Sequence, residues 1–104
     1  MNLNNLTQEN FELWLEQQPE DREFDYSDCR DCLIASFLKE AGVVTDPRCT
    51  HYAFRHGTLG EACAFPGWLC VVDTVACDFV PTIFDVNEFR NALRDYRRIK
   101  ERSL

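Results

Sequence analysis

The sequence predicts a mainly α single domain, a three- to four-helix bundle with a small β hairpin in the middle, α+β being the alternative architecture. Three observations lead there. Stretches near both ends carry matched helix-start signals, a stretch between them is apolar almost throughout, and turn residues gather between residues 43 and 65. A chain of 104 residues makes one domain, 1–104, which buries roughly two thirds of the surface its unfolded form exposes.

Thr7 caps the first predicted helix, with Leu6 before the cap and Phe11 inside it spaced as a hydrophobic staple. That helix runs to about Gln17, and Pro19 ends it. At 100° per residue Phe11, Trp14 and Leu15 share one face, while Glu9, Glu12 and Glu16 share the opposite one with Leu13 beside them. From Pro19 to Ser27, PEDREFDYS reads as a charged loop in which Phe24 and Tyr26 tuck back toward the core.

The central helix is expected from Asp28 to Gly42. Ser27 or Asp28 supplies the N-cap, Asp28 and Asp31 complement the macrodipole, and Gly42 offers a left-handed cap. Cys29, Cys32, Leu33, Phe37 and Ala41 recur near helical spacing, and Ile34, Ala35 and Leu38 widen the apolar face, so this helix packs between the N- and C-terminal ones. Asp46-Pro47 then signals a turn, His51 to Arg55 suggests a short strand of a hairpin, and Gly57 and Gly60 punctuate the stretch beyond it.

After Pro66-Gly67, Trp68, Val71, Val72, Val75 and Ala76 fit a short helix, although the β-branched residues also permit a strand. The last helix is expected from Val86 to about Glu101. Asp85 and Glu88 form an acidic capping box, Phe84 and Phe89 a staple, and Val86, Phe89, Leu93, Tyr96 and Ile99 an apolar face.

Charge is unevenly distributed along the chain. Residues 1–31 hold nine acids against Arg22 and Arg30, whereas residues 86–104 hold three acids and six bases. Such an acidic front disfavours direct binding to nucleic acid, which needs clustered Lys and Arg. It suits a basic protein surface instead. No apolar run approaches a membrane span, and the N-terminal stretch lacks a basic and apolar leader pattern, so a cytoplasmic protein that binds no membrane is expected.

Six cysteines, Cys29, Cys32, Cys49, Cys63, Cys70 and Cys77, offer three kinds of chemistry. Cys29-x-x-Cys32 with Cys49 and His51 or His56 supplies thiolate and imidazole ligands of the kind zinc takes, but no second C-x-x-C is present. Packing of Cys29 and Cys32 on an apolar helical face is the preferred reading, with serine at Cys32 then costlier than alanine. Disulfides are disfavoured in a reducing cytosol. A thiol nucleophile at Cys29 is opposed by the charges of Asp28 and Asp31. No catalytic residue, metal or cofactor is therefore expected.

Phe11-x-x-Trp14-Leu15-Glu16-x-Gln18-Pro19, then Tyr26, Cys32-x-x-Ala35-x-Phe37-Leu38-Lys39 and Gly42, resembles short proteins of bacterial and phage genomes over roughly the first 42 residues. In size, acidity and lack of an enzyme signature the chain is also similar in type to phage-encoded inhibitors, anti-CRISPR proteins among them. The expectation is a small acidic protein-binding module that blocks a basic, nucleic-acid-handling surface of a bacterial protein or nucleoprotein complex. Its contact residues are Glu9, Glu12, Leu13, Glu16, Glu20, Asp21 and Glu23. The alternative is a small zinc-binding or thiol-dependent protein.

Overall fold

Four helices and two small antiparallel sheets share one hydrophobic core, so the chain is α+β rather than a helical bundle alone. The computed structural model describes residues 1–102. After a 3-10 turn at Leu3–Asn5 come α1 (Gln8–Gln17), β1 (Glu23–Asp25), α2 (Leu33–Glu40), β2 (Pro47–Thr50), β3 (Ala53–His56) and β4 (Cys63–Ala64). The chain continues through α3 (Gly67–Asp78), β5 (Ile83–Asp85) and α4 (Val86–Arg102). Among the described residues no helix is long and apolar enough to cross a membrane.

The end helices form where their capping chemistry predicts. Thr7 Oγ1 accepts from the Asn10 N–H at 3.1 Å, and Leu6 packs against the core. At α4 the cap is reciprocal: Glu88 N–H donates to Asp85 Oδ1 at 2.7 Å, and Asp85 N–H donates to Glu88 Oε1 at 3.2 Å. Phe84 and Phe89 lie with ring centres 5.9 Å apart, both fully buried. Ile99 departs from the expected apolar face and is exposed.

The central helix begins later than its sequence predicts. Residues 28–31 form turns, and α2 starts at Leu33 with Cys32 as its N-cap, the Cys32 sulfur accepting from the Ala35 N–H at 3.4 Å. Short polar side chains explain the shift, because they satisfy nearby backbone N–H groups without a helix. Asp25 Oδ1 accepts from Ser27 N–H at 3.0 Å, and Asp28 Oδ1 accepts from Arg30 N–H at 2.9 Å. Cys29 and Cys32 consequently do not share a helical face; Cys29 is exposed and Cys32 is buried.

From Leu33 to Leu38 every residue of α2 is buried. The Phe37 ring meets Phe11 and Trp14 of α1 at 5.2 and 5.7 Å and Trp68 of α3 at 6.3 Å. Among the neighbours of α2 are α1, α3 and β2, while α4 packs on α3.

The segment read as a charged loop contains β1, which pairs with β5 in the register Glu23↔Asp85, Phe24↔Phe84 and Asp25↔Ile83. Alternation puts Phe24 and Phe84 inside and the acids outside. The hairpin of the middle segment is β2–β3, extended by β4. His51 and Tyr52 form its two-residue connection rather than a strand, and Tyr52 takes the left-handed φ of +64° that side chains rarely adopt. α3 is helical despite its valines, with Leu69, Val72, Val75 and Ala76 buried.

Candidate functional site

The acids expected to meet a partner fall into two groups. On α1, Glu12 accepts from Arg97 Nη2 at 2.8 Å, and Glu12 and Glu16 border a groove shared with Arg90, Leu93, Arg94, Arg97 and Arg98 of α4. The basic helix therefore offsets the charge of the acidic one. Glu9 and Leu13 remain on the outer side of α1, Leu13 being 56% exposed.

Glu20, Asp21 and Glu23 form the second group, and it is larger than expected. Glu23 lies opposite Asp85 on the outer face of the β1–β5 ribbon, beside Asp25 and the exposed Ile83. The Asn87 N–H donates to the Glu20 carbonyl at 3.1 Å, which sets the Glu20–Asp21 turn next to the acidic start of α4. Arg22 is the one base between residues 19 and 27. Its guanidinium lies 5.7 Å from the Trp14 ring and 5.0 Å from the Phe24 ring, and it binds both carboxylate oxygens of Glu40 at 2.9 and 2.8 Å. None of the ion pairs among the described residues involves Glu20, Asp21, Glu23, Asp25 or Asp85.

A separate cleft of about 540 Å³ opens between the end of β1, the β2–β3 turn and α3. Tyr26, Cys29, Cys32, Cys49, His51, Asp73 and Cys77 line it. Asp73 is 3% exposed on a helix whose other buried residues are apolar. The Tyr26 hydroxyl donates to its Oδ1, while its Oδ2 lies 3.5 Å from His51 Nδ1. Cys77, four residues on and hence on the same helical face, places its sulfur 3.7 Å from Asp73 Oδ1 and 3.8 Å from His51 Nδ1.

Burial, and then the hydrogen bond and charge of Asp73, raise the Tyr26 hydroxyl far above its usual range. Burial, and then the Asp73 charge, push the Cys77 thiol up to about 11. Deeper in the cleft Cys32 and Cys49 are free thiols; their interaction holds Cys32 below the usual thiol range and, together with burial, drives Cys49 above it. Cys77 and Asp73 both approach the same nitrogen of His51, whereas a catalytic relay uses one ring nitrogen for the nucleophile and the other for the acid. The cleft does not have the layout of a Cys-His-Asp relay.

The ligand set suggested by sequence does not converge. Among the described residues the one group of three or more His, Cys, Asp or Glu donors close enough to share an ion is His51, Asp73 and Cys77. His56 turns to Thr45 Oγ1 at 2.9 Å instead. Sequence reasoning named His51 and Cys77 singly and missed Asp73. The signal that could have found it was the Asp73-x-x-x-Cys77 spacing on an otherwise apolar helix. No protein-family model, curated protein or solved structure matches the chain.

Proposed function

We propose that this chain is an acidic protein-binding module whose contact surface is the outer face of the β1–β5 ribbon with the Glu20–Asp21 turn, and whose partner carries a basic, nucleic-acid-handling surface. One observation carries the reading: Arg22, the local base, is held by Glu40 and two aromatic rings, which leaves Glu20, Asp21, Glu23, Asp25 and Asp85 outside every ion pair among the described residues. Like charges directly across a strand pair are destabilising. The Glu23↔Asp85 pair has no cation beside it among the ion pairs of the described residues, although Asp85 also caps α4, and such a like-charge pair is the kind of cost a binding surface carries. Ile83, 57% exposed among these acids, supplies an apolar contact.

Carboxylates on the ribbon compete with phosphates for Lys and Arg, so the module acts as a plug for such a surface, in the manner of a phage-encoded inhibitor. Glu9, Glu12, Leu13 and Glu16 on α1 form the flank of the contact, with Glu12 already engaged by Arg97. The test uses paired baits in a bacterial lysate: the natural chain and the double variant Glu23→Lys, Asp25→Lys. Proteins held by the first, released by salt and missing from the second support the reading. Identical protein sets on both baits overturn it.

A further inference from the structure

Three side chains of different chemistry meet at the mouth of the cleft, and one of them is a buried carboxylate without a full cationic partner. The neighbours of Asp73 are a neutral phenol, a thiol and the imidazole of His51, which is 73% exposed. Burying an ionised carboxylate is costly unless it is paired or binds a metal. Tetrahedral zinc holds nitrogen and oxygen at about 2.0 Å and sulfur at about 2.3 Å, which sets its ligands about 3.3–3.6 Å from one another. His51 Nδ1 lies 3.5 Å from Asp73 Oδ2 and 3.8 Å from Cys77 Sγ, and the donor atoms of the three residues all lie within 4.8 Å of one another. Contraction toward those edges closes the three donors around one ion.

We propose that His51, Asp73 and Cys77 form a binding site for zinc or a divalent cation of similar softness, with the fourth coordination position open to the cleft. This departs from the metal-free expectation drawn from sequence. The donor set selects the metal class, since sulfur and imidazole suit zinc while calcium and magnesium take oxygen. Asp73 and Cys77 stand one helical turn apart on α3, an arrangement that aims two ligands at one point without a loop. His51 comes from the hairpin turn, whose left-handed Tyr52 fixes the chain direction there; strained turns of this kind concentrate at functional sites.

Tyr26 completes the arrangement. Its hydroxyl holds Asp73 Oδ1 and leaves Oδ2, the oxygen nearer His51, for the cation. Partners of this kind orient a ligating carboxylate, and their loss weakens metal affinity by about 10- to 100-fold. Coordination displaces the Cys77 proton to solvent and forms a metal–thiolate bond; no redox change is involved. With three protein ligands and one open position, the cation keeps a place for water or for an anionic or thiol ligand entering from the cleft.

Cobalt(II) titration of reduced, metal-stripped protein tests the site, because tetrahedral cobalt absorbs in the visible and a thiolate ligand adds a charge-transfer band. The site predicts stoichiometric cobalt carrying that band, displaced by zinc. His51→Ala and Cys77→Ser should each weaken binding by at least about tenfold, on the scale of a lost orienting partner. Cys77→Ser should also abolish the thiolate band, and Cys29→Ser should change neither measurement. His51 is exposed, so its replacement keeps the fold, which a thermal melt verifies. Failure of the natural chain to bind either metal, or binding that survives His51→Ala or Cys77→Ser, overturns the proposal.

Discussion

Arg97 on α4 donates to Glu12 on α1 across 2.8 Å, and this ion pair ties the most basic helix of the chain to its first acidic one. Arg90 adds a hydrogen bond to the Leu15 carbonyl near the end of α1. Part of the charge asymmetry between the ends of the sequence is therefore offset within the molecule at this groove. It persists at the ribbon, where no ion pair among the described residues involves the acids.

The Arg97–Glu12 pair is half exposed, so its own contribution to stability is small. A double-mutant cycle with Glu12→Ala and Arg97→Ala should give a coupling of about 0.2–1 kcal/mol that shrinks with added salt. Chemical denaturation at two salt concentrations measures it. A coupling above that range would mean that the groove excludes water.

Cys32 tests the corrected start of α2. A cysteine on a buried helical face would suffer more from serine than from alanine, but an N-cap reverses the order. Serine is a preferred cap and keeps an acceptor for the Ala35 N–H, whereas alanine loses it at about 1 kcal/mol. Cys32→Ala should thus have the lower denaturation midpoint of the two. The opposite order would restore the longer helix.

Glu40 gives the acid limb of the stability profile a direction. The hydrogen bonds from Arg22 hold its carboxyl below the usual range, so the stabilisation is complete above the unfolded value of about 4.3 and disappears as pH falls through the lower folded value. Because the two side chains are 31% and 37% exposed, the effect should stay under about 1 kcal/mol. Thermal melts from neutral to acidic pH should show a shallower decline for Glu40→Gln than for the natural chain.

Glu23 links stability to function. Replacing it with lysine turns the like-charge pair with Asp85 into an attractive one, and cross-strand pairs of this type are worth roughly 0.2–1 kcal/mol. Glu23→Lys should therefore raise the melting temperature while weakening partner capture. A variant less stable than the natural chain would mean that Asp85 and Glu23 do not repel.

How legible each element is in the sequence depends on the range of the interactions that make it. α1 and α4 were legible because cap, staple and apolar face lie within a few residues, as with Asp85, Glu88, Phe84 and Phe89. β1 was not, because its partner lies some 60 residues away and only Phe24 of its three residues points inward. The start of α2 was misjudged where Asp25 and Asp28 close turns that compete with a helix. Of the cleft, the thiols and His51 were visible singly, but their meeting with Asp73 depends on how the hairpin folds against α3.

The ribbon acids are the core of the functional account, and their most direct test is kinetic. With a partner isolated by paired capture, the association rate is measured across ionic strength for the natural chain, for Glu23→Lys with Asp25→Lys, and for Glu9→Lys with Glu16→Lys. Steering by unpaired charges is screened over a Debye length of about 8 Å at physiological salt. The account predicts a steep fall with salt for the natural chain, a slow and nearly salt-independent rate for the ribbon variant, and a smaller change for the α1 variant. An unchanged rate and salt dependence in the ribbon variant would contradict it.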